Sequence, residues 1–388
     1  MRDKYVLILG GTFESFFVID AVKKHNLKVI VIDRDINAPA YKFADVKVVC
    51  DLLEYEKALS MIKALNLNIV AILPTPIGIA LNCYGYLRDH LFNDSCFYEA
   101  IEICTDKYLF HEKLNQDNVS LRRGSCKVVH CIEEGLLCNF PAILKPRFGA
   151  GSRDVRYVVS YEDFVTTATQ IDIKKEDFIL EDFIEGPEYG ADYAIVNGKL
   201  QPLILRKKIE TLLPLRQAIG YICVTDKNLI EKCARKVEMA AKLLKIDNCL
   251  LHVDLIEDNN DIFIIEMAPR PSGHYISSNF IEFATKVNPI ENLLKLQLNE
   301  DYSFTPCTPS PCMIFYLNFE RDVIAPDMER IMDKYGIAEY KINALTNLKK
   351  VVDGRSIMGR GFIIVKASSE NELLENRQKI LNLFVNAR

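Results

Sequence analysis

The sequence predicts a mixed α/β and α+β protein built from three successive parts. Strand and helix patterns alternate over residues 1–100, which is typical of a parallel sheet covered by helices. Beyond residue 100, strands follow one another across short turns, and the Thr305–Pro311 stretch TPCTPSP has the composition of a linker. We therefore predict one domain over residues 1–100, a second over 101–304 and a small α+β domain over 305–388.

Composition limits the classes of function. The 388 residues are 49% apolar and 26% charged, as is ordinary for a soluble globular protein. A net charge of −5 without a concentrated basic stripe argues against a nucleic-acid surface, and no apolar run reaches the ~18 residues of a membrane span. The N-terminus leads into a strand and lacks the pattern of a signal peptide, so we expect a cytoplasmic protein with reduced cysteines.

The first 100 residues supply the expected parallel sheet. Apolar runs predict strands at Tyr5–Leu9, Val29–Asp33 and Ile69–Leu73, and helical spacing predicts helices at Glu14–His25 and Leu53–Leu65. Because parallel strands need crossover connections, this alternation favours a sheet with its helices packed on the faces.

The turn after the first strand, Gly10–Thr12, resembles a dinucleotide-binding turn, with Asp33 placed as the carboxylate for a ribose. The third glycine of that motif is missing, because Phe13 and Ser15 occupy the region where it would stand. We therefore favour a structural or substrate-facing turn over NAD or FAD binding.

A glycine-rich loop, Pro146–Arg153, follows the short strand predicted at Ala142–Lys145. Glycines let backbone N–H groups approach phosphate oxygens without obstruction from a Cβ atom, and Lys145, Arg147 and Arg153 add positive charge. The loop is not a Walker loop, because no G-K-[ST] follows it. It is a candidate phosphate site.

Two glutamates stand at a turn between the strands predicted at Phe178–Ile184 and Glu188–Val196. Glu181 lies in the first strand, and Glu188 follows the turn seven residues later. Carboxylates so placed are able to accept hydrogen bonds from an adenine amino group and from ribose hydroxyls. Two solvated glutamates would give the same pattern.

A basic strand follows at Leu203–Ile209, where Arg206, Lys207 and Lys208 stand together. This composition indicates either an anionic ligand or an exposed sheet edge. Helical spacing predicts further helices at Ile101–Asn115, which carries Lys107, and at Leu229–Leu244 and Ile281–Leu298.

Two apolar runs, His252–Ile256 and Ile262–Met267, flank a polar turn and predict a β-hairpin. Asp254 lies inside the first strand, Glu266 near the end of the second, and Arg270 follows four residues later. A buried carboxylate needs a partner, because burying a bare charge is costly. The two carboxylates suit a hard cation that holds phosphate oxygens, and solvated edge carboxylates are the alternative.

The C-terminal part has the pattern of a small α+β domain. Strands are predicted at Met313–Phe319, Lys350–Val352 and Gly361–Lys366. Helices are predicted at Met328–Tyr335 and Glu370–Phe384.

The order of these features resembles the ATP-grasp superfamily. The residues that carry the resemblance are Lys107, Lys145 with its glycine loop, Glu181, Glu188, Asp254, Glu266 and Arg270. The resemblance implies a Rossmann-like N-terminal domain, then an ATP-grasp fold with a small lid at about residues 107–185 and a larger lobe, and a C-terminal α+β cap. It also implies that ATP lies between two antiparallel sheets.

Site roles follow from the resemblance residue by residue. It implies that ATP contacts Lys107, Lys145, Gly149, Gly151, Ser152, Glu181, Phe183, Ile184 and Glu188, with adenine at Glu181 and the Phe183–Ile184 backbone and ribose at Glu188. Asp254 and Glu266 would hold one or two Mg²⁺ or Mn²⁺ ions, and Arg270 would bind the substrate carboxylate and its acyl phosphate.

One departure concerns the metal strand. The family commonly has E-x-N-x-R there, whereas this chain has Ala268 in place of the asparagine ligand. The stretch from Glu266 to Tyr275 is similar to the branch that makes carboxyaminoimidazole ribonucleotide. The Arg355–Gly361 pattern instead resembles the branch of amino-acid ligases. The metal strand and the C-terminal part therefore point to different branches.

The resulting interpretation is an ADP-forming carboxylate–amine ligase that acts through an acyl phosphate. Small carboxylates and amines are the expected substrates, with Lys208 at an anionic group and His274 at the substrate or as a structural histidine. A bicarbonate-using carboxylase and a non-catalytic nucleotide-binding protein are the alternatives. A homodimer is expected by analogy with the family.

Overall fold

The protein combines one parallel and two antiparallel sheets. The structure, a computed structural model, describes residues 3–92, 97–115, 121, 124–149, 151, 153–212, 217–349, 356–357 and 359–386. Within these residues the strands form a four-stranded parallel sheet, four-stranded and eight-stranded antiparallel sheets, and a two-stranded ribbon. The predicted mixed α/β and α+β class is confirmed.

The N-terminal sheet has the order β3-β2-β1-β4, with all three pairings parallel. Its strands are β1 (Lys4–Leu9), β2 (Lys28–Asp33), β3 (Val46–Val49) and β4 (Asn68–Pro74). Helices α1 (Phe16–Lys24), α2 (Tyr55–Ala64) and α3 (Leu81–Phe92) accompany it, with 3₁₀ turns at Phe13–Ser15 and Pro39–Lys42. The apolar strands β1 and β2 are buried on both faces because helices cover the sheet.

The single helix predicted at Ile101–Asn115 is wrong. Two helices occur instead, α4 (Phe97–Thr105) and α5 (Lys107–Asn115). Asp106 separates them, because its carboxylate accepts the backbone N–H groups of Tyr108 and Leu109 at 3.0 and 3.2 Å and so caps α5.

The small antiparallel sheet has the order β5-β8-β6-β7 and lies within residues 107–185, where the lid is predicted. Its elements are β5 (Cys126–Val129), β6 (Ala142–Pro146), β7 (Arg156–Val158), α6 (Tyr161–Ile171) and β8 (Phe178–Asp182), with a 3₁₀ turn at Ile132–Leu137. The fully buried ring of Phe164 on α6 lies in the small core beneath this sheet.

The large sheet has the order β13-β12-β9-β10-β11-β14-β17-β16. Its strands are β9 (Glu188–Val196), β10 (Lys199–Glu210), β11 (Ala218–Cys223), β12 (Cys249–Asp258), β13 (Asp261–Ala268), β14 (Cys312–Tyr316), β16 (Ile337–Ile342) and β17 (Gly361–Lys366). The separate ribbon pairs β15 (Val323–Ile324) with β18 (Val385–Asn386). Because β14 pairs with β11, the C-terminal strands extend the same sheet. The domain boundaries remain predictions.

Helices pack on this sheet as α7 (Lys227–Leu243), α8 (Ile281–Thr285), α9 (Pro289–Gln297), α10 (Met328–Tyr335) and α11 (Glu370–Asn382). The one helix predicted at Ile281–Leu298 is wrong, because the left-handed conformation of Lys286 ends α8 and Asn288 caps α9 ahead of its Pro289. A π-helix at Ile276–Phe280 precedes α8. The strand predicted at Lys350–Val352 lies outside the described residues.

The predicted hairpin is present and longer than expected. Asn259 and Asn260 both have positive φ, at 48° and 61°, which is the geometry of a tight two-residue turn between β12 and β13. The register set by this turn pairs Leu255 with Ile264, and an irregularity between Asp254 and Leu255 then shifts the pairing by one residue, so that Asp254 lies opposite Glu266. None of the helices in the described ranges is both long enough and apolar enough to cross a membrane.

Candidate active site

A cavity of about 890 Å³ lies between the two antiparallel sheets and the N-terminal domain. Its walls include Lys145 and Glu181 from the small sheet, Glu188, Lys208, Asp254 and Glu266 from the large sheet, and Gly10, Glu14 and Asp33 from the N-terminal domain. The loops after β1, β2 and β4 all open toward it. A ligand site where domains meet and parallel strands end is typical of α/β enzymes.

Two of the expected nucleotide ligands form a buried ion pair. Nζ of Lys145 lies 2.5 Å from Oε1 of Glu181, and the two side chains are only 7% and 11% exposed. Adjacent pairing of β6 with β8 brings them together. Each side chain therefore satisfies the charge of the other at the wall of the cavity.

The glycine loop has the backbone that its sequence predicts. Gly149 and Gly151 have φ values of 139° and 73°, which L side chains rarely adopt, and both line the cavity. Nζ of Lys107 donates a hydrogen bond to the carbonyl of Gly149 at 2.9 Å. Lys107 is not among the described residues that line the cavity, and this hydrogen bond supports the backbone of the loop. Ser152 lies outside the described residues.

The arginines of this loop are paired with carboxylates. Arg147 donates to Asp106 at 2.6 Å, and Arg153 donates to Glu176 at 2.7 Å. Of the two arginines, Arg153 lines the cavity. These ion pairs therefore offset the positive charge that the sequence assigns to the two arginines.

Phe183 and Ile184 follow β8 and line the cavity between the two glutamates. The backbone N–H of Phe183 donates to the carbonyl of Pro141 at 3.1 Å, and its ring packs at 4.7 Å from the ring of Tyr157. This segment forms an apolar edge of the kind that a purine ring would contact.

Lys208 joins two other expected ligands. Its Nζ lies 3.2 Å from Oε2 of Glu188 and 3.1 Å from Oδ1 of Asp254. Burial alone would lower the pKa of Lys208, but the charges of Asp254 and Glu188 raise it above the ordinary lysine value. Burial likewise opposes ionisation of Asp254, and Lys208 holds the pKa of that carboxyl below its usual range. Lys208 and Asp254 are therefore both charged at neutral pH.

The two expected metal ligands lie opposite each other on β12 and β13. Ala268 supplies no third donor, and no cluster of three or more His, Cys, Asp or Glu side chains within the described ranges has the geometry of a metal site. Two carboxylates fit Mg²⁺, which prefers oxygen ligands and commonly keeps several waters.

A buried polar network under the site was not predicted. Asp192 accepts from Nη2 of Arg206 and from the Ser272 hydroxyl, and Nδ1 of His252 lies 2.9 Å from that hydroxyl. Arg206 is fully buried, and its Nε and Nη1 have no partner in the described part of the chain. Although burial would raise the pKa of Asp192, Arg206 and then His252 hold it well below its usual range.

A second unpredicted group, Glu14, links the N-terminal domain to the segment after β13. Its Oε1 accepts the backbone N–H of His274 at 3.1 Å. Burial raises its pKa, while the His274 N–H and the charge of Arg270 lower it. His274 has the strained φ of 57°, and its carbonyl accepts from Tyr316 at 2.7 Å. The sequence signal for Glu14 was its place directly after the Gly10–Thr12 turn.

Arg270 lies at the boundary between the metal strand and Glu14. Its Nη1 donates to the carbonyl of Pro271 at 2.9 Å. Burial lowers its pKa, and the charges of Glu266 and Glu14 oppose that effect. Arg270, His274 and Glu266 all line the same cavity.

Comparison with known proteins identifies part of the chain. Residues 138–279 match the model of the ATP-grasp domain. That range contains the small sheet from β6 onward, the hairpin and Arg270. The match includes every expected ligand except Lys107.

Two curated relatives share part of the sequence. Carbamoyl-phosphate synthase of Methanobrevibacter smithii is 28% identical over 183 residues, which are 45% of this chain and 48% of that protein. Tyramine–L-glutamate ligase of Methanocaldococcus jannaschii is 24% identical over 250 residues, which are 64% of this chain and 68% of that protein. The chain thus spans about half the length of the first relative.

Among solved structures, the L-amino acid ligase from Bacillus licheniformis superimposes with a TM-score of 0.80. The sequence identity is 16%, and the match covers 100% of this chain and 99% of that one. At this identity the likeness shows the fold, and it extends over the N-terminal and C-terminal parts as well as the matched domain.

Proposed function

We propose that this chain, a member of the ATP-grasp superfamily, is an ADP-forming ligase that joins a small carboxylate to an amine through an acyl phosphate. The observation that carries the proposal is the pairing of Asp254 with Glu266 inside a cavity that also contains Lys145, Lys208 and Arg270. Carboxylates for a metal and cations for phosphate oxygens are the groups that phosphoryl transfer to a carboxylate requires.

The proposed reaction has two steps. A carboxylate oxygen of the substrate attacks the γ-phosphorus of ATP, the bond from that phosphorus to the β,γ-bridging oxygen breaks, and ADP leaves. The amine nitrogen then attacks the carbonyl carbon of the acyl phosphate. The carbon–oxygen bond to phosphate breaks, and an amide and inorganic phosphate result.

The chain's own residues bring the two anions together. Lys145 and Lys208 would contact phosphate oxygens, and Arg270 would bind the substrate carboxylate, since cations offset the repulsion between them. Asp254 and Glu266 would hold Mg²⁺, which when bound neutralises phosphate charge and orients the γ-phosphoryl group. The lid sheet would exclude water, which would otherwise hydrolyse the acyl phosphate.

The first experiment measures ADP and phosphate release from ATP and Mg²⁺ with pools of small carboxylates, amines and bicarbonate. Glu266→Gln should remove most turnover, because the metal loses one of its two carboxylate ligands. Asp261→Asn is the matched control, since Asp261 lies at the far end of the same hairpin in a partly exposed pair with Lys236.

Each outcome of this assay has a definite meaning. Release of ADP that needs both a carboxylate and an amine supports the ligase. Dependence on bicarbonate would replace it with the carboxylase, and AMP as the product would contradict the acyl-phosphate mechanism. Full activity of Glu266→Gln would remove the metal assignment. Cytoplasmic localisation and a homodimer form part of the same proposal.

A further inference from the structure

We propose that Glu14 and the apolar side chains beside it form the subsite for the amine, and that this amine is a cation with an apolar body. The inference rests on the proposed ligase function, which leaves the amine unspecified. It concerns the wall of the cavity that the N-terminal domain supplies.

Glu14 is the carboxylate of this wall that faces the substrate side of the metal strand. It lies in the 3₁₀ turn Phe13–Ser15, after β1, and its carboxylate accepts a hydrogen bond from the backbone N–H of His274. A Cβ atom at Gly273 would lie 2.9 Å from Oε2 of Glu14 and 3.1 Å from Cβ of Pro76, so glycine at position 273 leaves room for the carboxylate. The facing ionisable groups are Arg270 and Tyr316.

The charge of this wall suits a cation. Among the described residues that line it, the charged ones are Glu14, Asp33, Asp51 and Arg34. Arg34 lies 3.5 Å from Asp51, and Asp33 accepts the N–H of Gly11 at 2.6 Å. With three carboxylates and one guanidinium, which is paired with Asp51, this wall carries an excess of negative charge. That excess disfavours a phosphorylated acceptor such as a ribonucleotide and favours an ammonium group.

Apolar side chains belong to the same wall of the cavity as these carboxylates. Phe13, Leu53 and Ile79 line the cavity, yet they are 73%, 52% and 38% exposed. Large apolar side chains left exposed together in a cavity typically contact a ligand. Because Phe13 and Glu14 line the same cavity, an amine held by Glu14 would place its carbon skeleton in the space that Phe13 also lines.

The reaction gives the carboxylate a chemical task. A protonated amine has no lone pair for attack, so one proton must leave its nitrogen before the carbon–nitrogen bond forms. Glu14 accepts that proton, and the amine then attacks the acyl phosphate. The second proton leaves the tetrahedral adduct with the departing phosphate. Burial, which raises the pKa of Glu14, makes it a better proton acceptor.

The test separates the amine step from the ATP step. With the carboxylate found in the pool assay, amide formation from cationic amines is compared with hydroxamate formation from hydroxylamine, which is small and uncharged at neutral pH. Glu14→Gln should lower kcat/KM for cationic amines by about 10²-fold, and much less for hydroxylamine. Glu56→Gln, which removes an exposed acid on α2 of the same domain, is the control.

Direct binding tests the class of ligand. The probe 2-phenylethylamine should bind the wild-type protein more tightly than its uncharged isostere 2-phenylethanol, and Glu14→Gln should abolish the difference. Phe13→Ala should weaken both probes, because it removes apolar surface. The ring of Phe13 touches Phe16 at 5.4 Å and is mostly exposed, so the fold does not depend on it.

Failure of the inference is distinct from failure of the proposed function. Equal losses of amide and hydroxamate in Glu14→Gln would place Glu14 in the ATP half-reaction and overturn the inference. Equal affinity for the two probes, or displacement of 2-phenylethylamine by ribose 5-phosphate, would also overturn it. If the wild-type protein forms neither ADP nor hydroxamate, the proposed ligase function is refuted. The binding experiment would still decide whether the amine subsite exists.

Discussion

Replacing Asp192 by asparagine should destabilise the protein far more than the loss of an ordinary ion pair. Asp192 is the carboxylate partner of Arg206, whose side chain is fully buried between Gly190 and the ring of Tyr221. Asparagine keeps the shape of the side chain and removes its charge. The guanidinium, with two nitrogens already without partners in the described residues, would then be a buried cation without compensation.

The magnitude follows from that burial. Removing one partner of a buried ion pair costs about 3–5 kcal/mol. The folding equilibrium constant then falls by roughly 10²- to 10⁴-fold. An exposed pair contributes about 0–1 kcal/mol. The matched control is therefore Asp20→Asn, because Asp20 and its partner Lys24 are 64% and 65% exposed on α1.

Thermal and urea unfolding measure the effect. A loss of about 3 kcal/mol lowers the melting temperature of a domain of 150–250 residues by at least ~6 °C. Combining Asp192→Asn with Arg206→Met should recover most of the loss, because the buried charge is removed with its partner. The reasoning is refuted if Asp192→Asn costs no more than Asp20→Asn, or if the double variant is less stable than Asp192→Asn.

Two further predictions concern the buried ion pair of Lys145 with Glu181 and that of Asp192 with Arg206. Lys145→Ala should weaken ATP binding by about 10- to 100-fold, because a charge-assisted contact is lost, and should also lower stability by leaving Glu181 buried without its lysine. Adding Glu181→Gln should restore the melting temperature but not the affinity in a titration with ATP; recovery of both would argue against the phosphate role. The stability that Asp192 contributes is present above its unfolded-state pKa of about 3.9, because folding lowers that pKa, and it is lost as the pH falls below about 4. The difference in unfolding free energy between wild type and Asp192→Asn should therefore shrink between about pH 5 and pH 2, and a constant difference would exclude this linkage.

The parts of the fold that sequence predicts are those coded locally. The strands of the N-terminal sheet are continuous apolar runs, and the hairpin is two such runs around a polar turn. The facing of Asp254 and Glu266 needs one more feature, because the register of the turn alone would pair Asp254 with Ile265 and an irregularity beside Leu255 shifts it by one residue. The short edge strand β3, Val46–Val49, has too few residues for its pattern to be recognised.

The rest of the site depends on contacts distant in sequence. Asp192 meets His252 because β9 pairs with β12, and Ser272 reaches them only after the chain has left β13. Glu14 meets His274 across 260 residues. Neither periodicity nor spacing shows which residues distant in sequence come into contact. The buried polar network and the acidic wall are therefore seen only in the folded structure.

Lys107 illustrates a different limit. Sequence order indicates a nucleotide contact for it, and in the structure its ammonium group donates a hydrogen bond to the carbonyl of Gly149. A linear pattern predicts which residues lie near a site, while the direction of each side chain is set by packing. Its role toward ATP therefore remains a prediction.

The strand order of the large sheet has a consequence for how the protein is made. During synthesis β9 to β13 emerge from the ribosome first, but β11 then lacks the neighbour that β14 later provides. Until about the last fifth of the chain is made, the sheet that carries Asp254 and Glu266 presents an open edge of unpaired N–H and C=O groups. Such an edge is a template for pairing with other chains. The C-terminal strands thus complete and protect the sheet that carries the site.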